Sequence, residues 1–164
     1  MNAGFRIDAA GDMATGDMAT VALLFREYAD QLGIDLSFQN FEAEIAGLPG
    51  AYAPPAGALL LAHSSRGEAM GCAAIRPLGE AGSCEMKRLY ARPGARGSGV
   101  GRALAEAAIK AAERAGYRTM RLDTLASMVA AQALYRSLGF ETTPAYYDTP
   151  VANTIFMRKM LTQP

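Results

Sequence analysis

Apolar positions recur along this chain at three spacings, and each predicts a different element. Strict alternation predicts strands. Phe5-Arg6-Ile7-Asp8 alternates and is expected as a first, edge strand, and Tyr117-Arg118-Thr119-Met120-Arg121-Leu122-Asp123 alternates again later. An unbroken apolar run, Ala58 to His63, predicts a buried strand; Ser64-Ser65-Arg66-Gly67 turns it into a returning strand over Glu68 to Arg76, forming a hairpin. Spacings of three and four predict helices. Asp17 to Leu32 places Val21, Leu24, Tyr28 and Leu32 on one face and stops at Gly33. A shorter helix begins in Ser37-Phe38-Gln39-Asn40-Phe41-Glu42 and runs through Ala46 or Leu48. Two more run from Val100 to Ala115, capped by Gly116, and from about Met128 to Leu138, capped by Gly139. A strand ending at Ala91, then Phe140-Glu141-Thr142 and Thr154 to Met160, complete the set.

Three antiparallel strands followed by strand, helix and strand is an α+β plan. The strand ending at Ala91 and the one over Tyr117 to Asp123 are expected to be parallel neighbours joined right-handedly. The 164 residues are expected as one domain, 1–164, with a real core, since half the residues are hydrophobic. Sixteen basic residues balance sixteen acidic ones, so nothing in the charge calls for nucleic acid or an anionic membrane. The N-terminus lacks a basic start with an apolar run behind it, and no run approaches the roughly eighteen apolar residues of a membrane span, so a cytoplasmic location is expected. Cys72 and Cys84 stand on separate strands with no cysteine or histidine cluster nearby. They imply reduced core thiols rather than a disulfide or a metal site. The single histidine, His63, ends a strand and reads as structural.

One stretch, Cys84 to Arg102, is shaped for a ligand. Pro93-Gly94 stops a strand, a helix starts at Val100, and between them lies Arg96-Gly97-Ser98-Gly99-Val100-Gly101. Glycines at alternate positions ahead of a helix leave backbone N–H groups uncovered, at the end where the helix dipole adds about half a positive charge. That makes an anion cradle. The Walker P-loop does not fit, because no Gly-Lys-Ser/Thr follows; the dinucleotide fingerprint does not fit either, because Arg102 or Leu104 falls where its third glycine belongs.

Arg-x-x-Gly-x-Gly does fit, and with it the segment Ser83 to Phe140 resembles the GNAT superfamily of acetyl-CoA-dependent N-acetyltransferases. The resemblance implies a GNAT fold, with a mixed, mostly antiparallel central sheet of about seven strands flanked by about four helices. It implies acetyl-CoA as cosubstrate and no metal. Leu89, Tyr90 and Ala91, just ahead of the glycine loop, are then expected to bind the pantetheine arm through their backbone, as a strand binds a strand. The N–H groups of Gly97, Ser98, Gly99, Val100 and Gly101 are expected to hold the pyrophosphate, with Arg96 and Arg102 either pairing with phosphate or simply solvated. Ala133 to Phe140 looks like the family segment whose tyrosine faces the coenzyme sulfur, which assigns Tyr135. A phenol of pKa about 10 can hydrogen-bond or protonate a departing thiolate of about 8.5, although helical spacing alone makes Tyr135 a core residue. Glu85 stands where some members carry a base for the amine; otherwise it is a surface glutamate paired with Lys87 or Arg88. The chain departs from the family pattern at Ala126-Ser127-Met128-Val129, where many members carry an asparagine; Ser127 or a backbone group takes its place.

The resemblance puts the acceptor between the early helices and the loop before the last strand. By position this nominates Phe38, Tyr52 and Tyr146, together with Gln39, Phe41, Tyr147 and Arg76, residues that serve equally well as packing. The expected activity is transfer of an acetyl group to a primary amine of a small molecule or peptide by direct attack. No cysteine is placed to carry the acetyl group, and Cys84 is expected on the sheet face opposite Glu85. Two alternatives stand beside this: a catalytically silent acyl-CoA-binding regulatory domain, and a binder of some other phosphate compound. A homodimer is compatible with the family.

Overall fold

The computed structural model of the chain describes residues 4–10 and 16–163; the side chain of Phe38 also lies outside the described part. The strands are β1 (Phe5–Ala9), β2 (Ala58–Ser64), β3 (Ala69–Pro77), β4 (Ser83–Ala91), β5 (Thr119–Leu125), β6 (Glu141–Thr143) and β7 (Thr154–Met160). They form one sheet in the order β1-β2-β3-β4-β5-β7-β6, in which only β4 and β5 run parallel. Helices α1 (Gly16–Leu32), α2 (Phe41–Ala46), α3 (Val100–Arg114) and α4 (Val129–Ser137) complete the α+β plan expected from the apolar pattern. No helix among the described residues is long and apolar enough to cross a membrane.

The sheet carries a core on each face. On one, α3 buries Val100, Leu104, Ala105, Ala108, Ile109 and Ala112 against Ala73, Ile75, Cys84, Met86, Met120 and Leu122. The alanines at its contact face let α3 lie close to the strands. On the other, Val21, Leu24 and Phe25 of α1 pack with Phe41, Tyr52, Leu59, Leu61, Cys72 and Tyr90. The apolar stripe of α1 is therefore split: Val21 and Leu24 go into the core, whereas Tyr28 and Leu32 line a cleft described below.

Two expectations need correction. The helix expected to begin at Ser37 is broken into a single 3-10 turn, Ser37–Gln39, and α2, because Asn40 takes a left-handed conformation (φ 56°) that asparagine tolerates. β5 starts at Thr119 rather than Tyr117, whose N–H still bonds the carbonyl of Ala112 in α3 and whose hydroxyl is tied to the carbonyl of Ala56. Beyond these, β7 lies between β5 and β6, an order on which the apolar pattern is silent.

The most consequential irregularity is in β4. Between the pairs Cys72↔Tyr90 and Ala74↔Lys87, β4 spends one residue more than β3, which is a bulge. Arg88 supplies it with φ +60°, a conformation that costs a non-glycine residue about 1 kcal/mol or more. Its side chain repays the cost. The guanidinium is buried and donates to Glu44 of α2 through Nε (3.0 Å) and Nη2 (3.1 Å), with the Phe41 ring 5.1 Å and the Tyr28 ring 5.9 Å from its centre. Just past the bulge, where it pairs with Ala91, Gly71 is obligatory, since a Cβ there would overlap the carbonyl oxygen of Tyr90. Before the bulge Glu85 and Lys87 face the α1/α2 side; after it Leu89 and Ala91 pack toward α3.

Removing one member of this buried pair strands the other. Glu44→Ala is expected to cost about 3 kcal/mol, lowering the melting temperature by about 6–12 °C in a chain of this size. Urea unfolding followed by circular dichroism measures it; a loss under about 1 kcal/mol would mean that backbone pairing alone holds the bulge.

Candidate functional site

β4 and β5 pair only at Ser83↔Thr119, Cys84↔Met120 and Glu85↔Arg121. Beyond Glu85, β4 stays with β3 and β5 stays with β7, so the two strands part like the arms of a V. The edge of β4 that faces β5 is left without a partner strand from Met86 to Ala91, and it borders a continuous cleft.

The outer arm of the cleft is a groove with a cavity volume of about 630 Å³, bordered by Leu89, Tyr90, Ala91, Arg96, Gly101 and Ser127. The glycine loop ends it. Gly97 (φ +81°) and Gly99 (φ +90°) hold left-handed conformations that a side chain would strain, and Gly99 is the N-cap of α3. The first helical bond of α3 runs from the N–H of Ala103 to the carbonyl of Gly99, which leaves the N–H groups of Val100, Gly101 and Arg102 without helical acceptors. A Cβ on Gly101 would meet open space. The loop thus has the free donors and bare surface that a pyrophosphate needs. Not every expected donor is free: the N–H of Ser98 goes to the carbonyl of Ala95. Arg96 reaches back to the carbonyl of Ala91 (3.3 Å) and borders the groove. Arg102 instead ties α3 to α4 by donating to Ser137 (2.6 Å), with Glu106 3.5 Å away, and does not line the groove.

Where the V opens lies an inner chamber, with a cavity volume of about 90 Å³. Its apolar walls include Leu32, Leu36, Met128 and Val151, and its polar groups include Tyr28, Gln39, Lys87, Arg88, Asp123, Tyr135 and Tyr147, with Thr124, Thr149 and Thr154 beside them. Tyr135, on α4, lies edge-on to Phe140 (ring centres 5.7 Å apart) and lines the chamber. Burial, then the neighbouring Tyr28 and Asp123, push its phenol above the ordinary value, so it is held protonated. Tyr28 is pushed up to about 12, chiefly by burial. Asp123 accepts a hydrogen bond from Tyr147 (2.7 Å). Lys87 is buried, and loss of hydration pulls its ammonium below the ordinary value.

A second, outer chamber of about 260 Å³ shares Gln39, Lys87 and Tyr147 with the first and adds Arg76, Glu85, Tyr146 and Asp148. Glu85 does not lie on an exposed face, nor is Arg88 its partner. It is 2 % exposed, with Oε1 2.9 Å from both Nε and Nη2 of Arg76, its register partner on β3, while Oε2 accepts from Tyr146 at 2.5 Å. Lys87 Nζ is 4.0 Å from Oε1. The carboxylate pushes the Tyr146 phenol up further, beyond what burial does.

Of the residues nominated for the acceptor, Tyr146, Gln39, Tyr147 and Arg76 border the chambers. Tyr52 lines neither; it belongs to the core, edge-on to Phe25 at 5.9 Å, because the turn Gly50–Tyr52 packs against β3. Phe41 lies under Arg88, and the side chain of Phe38 is outside the described part. Sequence reasoning passed over Lys87 and Asp123, although strand alternation carries the signal: they share a sheet face with Glu85 and Arg121, two residues further along each strand. Both cysteines are buried, Cys84 with a thiol pushed up to about 12, so neither is an available nucleophile.

A sequence profile of the Acetyltransferase (GNAT) family matches residues 21–140. An uncharacterized N-acetyltransferase of Schizosaccharomyces pombe is 44% identical over 142 residues, covering 87% of each chain. The structure of a Klebsiella pneumoniae protein assigned as an acyl-CoA N-acyltransferase superposes with a TM-score of 0.73 at 33% identity, covering 98% of this chain and 100% of that one. A GNAT-family acetyltransferase from Staphylococcus aureus shares the fold, with a TM-score of 0.78 at 16% identity over 96% of this chain and 99% of that one.

The two kinds of glycine in the loop separate folding from binding. Gly99→Ala is expected to destabilise the protein by about 1 kcal/mol through its left-handed backbone. Gly101→Ala, in an ordinary helical conformation, is expected to fold as well as the parent yet bind coenzyme A about tenfold more weakly, because its methyl occupies the cradle. Calorimetric titration of Gly101→Ala with coenzyme A reads this directly, and an unchanged affinity would move the phosphate elsewhere.

Proposed function

This chain belongs to the acetyltransferase (GNAT) family, and we propose that it transfers an acetyl group from acetyl-CoA to a primary amine of a small molecule or peptide by direct attack. The observation that carries this reading is the parting of β4 from β5, which joins the anion cradle at α3 to the chamber containing Tyr135 through one open strand edge. Acetyl-CoA supplies an activated acyl group and a thiol leaving group; the rest is work for the protein.

The free edge of β4 offers backbone groups to the two amides of the pantetheine arm, in the manner of an added strand. The loop Arg96 to Arg102 holds the pyrophosphate through the N–H groups of Gly97, Gly99, Val100 and Gly101, and Ser127 sits on the opposite wall of the groove. N–H groups near Ala91 polarise the thioester carbonyl. Tyr135, kept neutral by its surroundings, hydrogen-bonds or protonates the departing thiolate. With both thiols buried, the acetyl group passes directly to the amine and no acyl-enzyme is formed.

Only a neutral amine attacks, and an alkylammonium of pKa about 10.4 is almost wholly charged at neutral pH. Glu85 is the proposed sink for that proton. Because both its oxygens are engaged, the proton reaches it through the hydroxyl of Tyr146, which accepts from the amine as it donates to Oε2.

Acetyl-CoA and coenzyme A should each raise the melting temperature, by an amount equivalent to about 2.7 kcal/mol at a hundred times the dissociation constant, whereas ATP should not. Tyr135→Phe is expected to lower kcat by about 10²-fold with coenzyme binding intact, the usual scale for one acid–base group. Glu85→Gln is expected to lose rate at neutral pH and regain it as the pH approaches that of free amine, measured as thiol release; a flat ratio to the parent across pH would reduce Glu85 to an anchor for Arg76 and Tyr146.

A further inference from the structure

Three charged side chains line the inner chamber: Lys87, Arg88 and Asp123. Arg88 is paired at close range, its Nε and Nη2 both donating to Glu44. The other two are not. Lys87, 5 % exposed, has as its sole ion pair among the described residues a contact of 4.0 Å with Glu85, and Glu85 is already satisfied by Arg76 and Tyr146. Asp123 accepts one hydrogen bond, at Oδ2 from Tyr147, and makes no ion pair within 4.0 Å with any described residue. The two stand on opposite sides of the opening, Lys87 on β4 and Asp123 on β5, each two residues beyond the last paired position, and they do not bridge to one another.

A charge withheld from water without a close partner, as on Lys87, is costly to keep, and the half-buried Asp123 has only the Tyr147 hydroxyl beside it. Here a positive and a negative one are held apart across a small cavity whose walls are part polar and part apolar, the apolar part including Leu32, Leu36 and Val151. That arrangement is complementary to a ligand with the opposite pair of charges on an apolar body.

We propose that the acceptor is a small zwitterion, a free amino acid with an apolar side chain, whose ammonium docks on Asp123 and whose carboxylate docks on Lys87. This deepens the reading given above and rests on it. Asp123 then places the nitrogen at the mouth of the V, on the same side as Tyr135, while Lys87 selects for the acid group. The ion pair with Glu44 engages two of the three guanidinium nitrogens of Arg88, which weakens its competition for the carboxylate. The apolar body meets Leu32, Leu36 and Val151. A peptide N-terminus or a plain alkylamine satisfies Asp123 but leaves Lys87 unpaired, so these are the poorer acceptors.

The test measures thiol release from acetyl-CoA with free leucine, isoleucine, valine, methionine and phenylalanine, each beside its carboxamide and its decarboxylated amine. Wild-type protein is expected to prefer at least one free acid over its amide by about tenfold or more in kcat/KM, the value of one charge-assisted contact. The amide sheds its ammonium proton more readily than the free acid, so such a preference reflects binding rather than amine reactivity. Lys87→Met should bring the acid-to-amide ratio close to one, and Lys87→Arg should retain much of it; Asp123→Asn should raise KM for acid and amide alike. Circular dichroism and the acetyl-CoA thermal shift confirm that each variant is folded and loaded. Equal or better use of the amides, a ratio unmoved in Lys87→Met, or no turnover with any free acid while acetyl-CoA still stabilises the protein would overturn the proposal. Absence of acetyl-CoA stabilisation would take down the coenzyme reading, and the acceptor with it.

Discussion

The bulge at Arg88 is the constraint on which the site depends. Seven strands could pair along their full length into an unbroken sheet with no room for a ligand. Instead, one extra residue in β4 turns the strand away from β5, and the ion pair with Glu44, sandwiched by Phe41 and Tyr28, holds a backbone conformation that arginine would not adopt alone. The same event resets the alternation, so Glu85 and Lys87 look one way and Leu89 and Ala91 the other. Opening, register and the direction of the polar side chains all follow from one residue.

Two carboxylates on the same sheet face have been given different surroundings. Glu85 is sealed, with an arginine on one oxygen and a phenol on the other; Asp123 is half-buried with a single phenol partner. Desolvation raises the phenols around them, so Tyr135, Tyr146 and Tyr147 act as donors that keep their protons. The chamber is thereby supplied with neutral donors held in place, the kind of preorganised field that favours charge developing in a transition state.

Much of this was legible in the chain. The alternation in Tyr117 to Asp123, the apolar run at Ala58 and the helical spacing after Val100 place most elements within two residues, because each reports burial on one face of a regular element. The glycine loop was legible for the same reason: Gly97 and Gly99 are needed by backbone conformation, which is local. What was not legible is what depends on contacts distant in sequence. Glu44 lies 44 residues from Arg88, and Glu27, which accepts from Tyr90 and Arg92, lies more than sixty residues before them, so no window on the chain joins them. Arg76 could be nominated as an anion contact by position, but its register with Glu85 could not. The insertion of β7 between β5 and β6 leaves no local mark either, and it is what presents Phe156 beneath Tyr146 and Tyr147, with ring centres 5.3 and 5.2 Å away, and so sets the wall of the outer chamber.

A strand edge without a partner invites other chains, and proteins commonly blunt such edges with charge or proline. Between Met86 and Ala91 β4 has no proline, and its two charges, Lys87 and Arg88, are buried rather than displayed to solvent. Its defence is its position. The edge lies at the bottom of a wedge whose far arm is β5 and whose apex is closed by three residue pairs, so the space beside it admits a single thin, flexible chain and not another folded sheet. The geometry that receives a ligand therefore also shields the protein from its own kind: a copy cannot add a strand where only a slender prosthesis of one can reach.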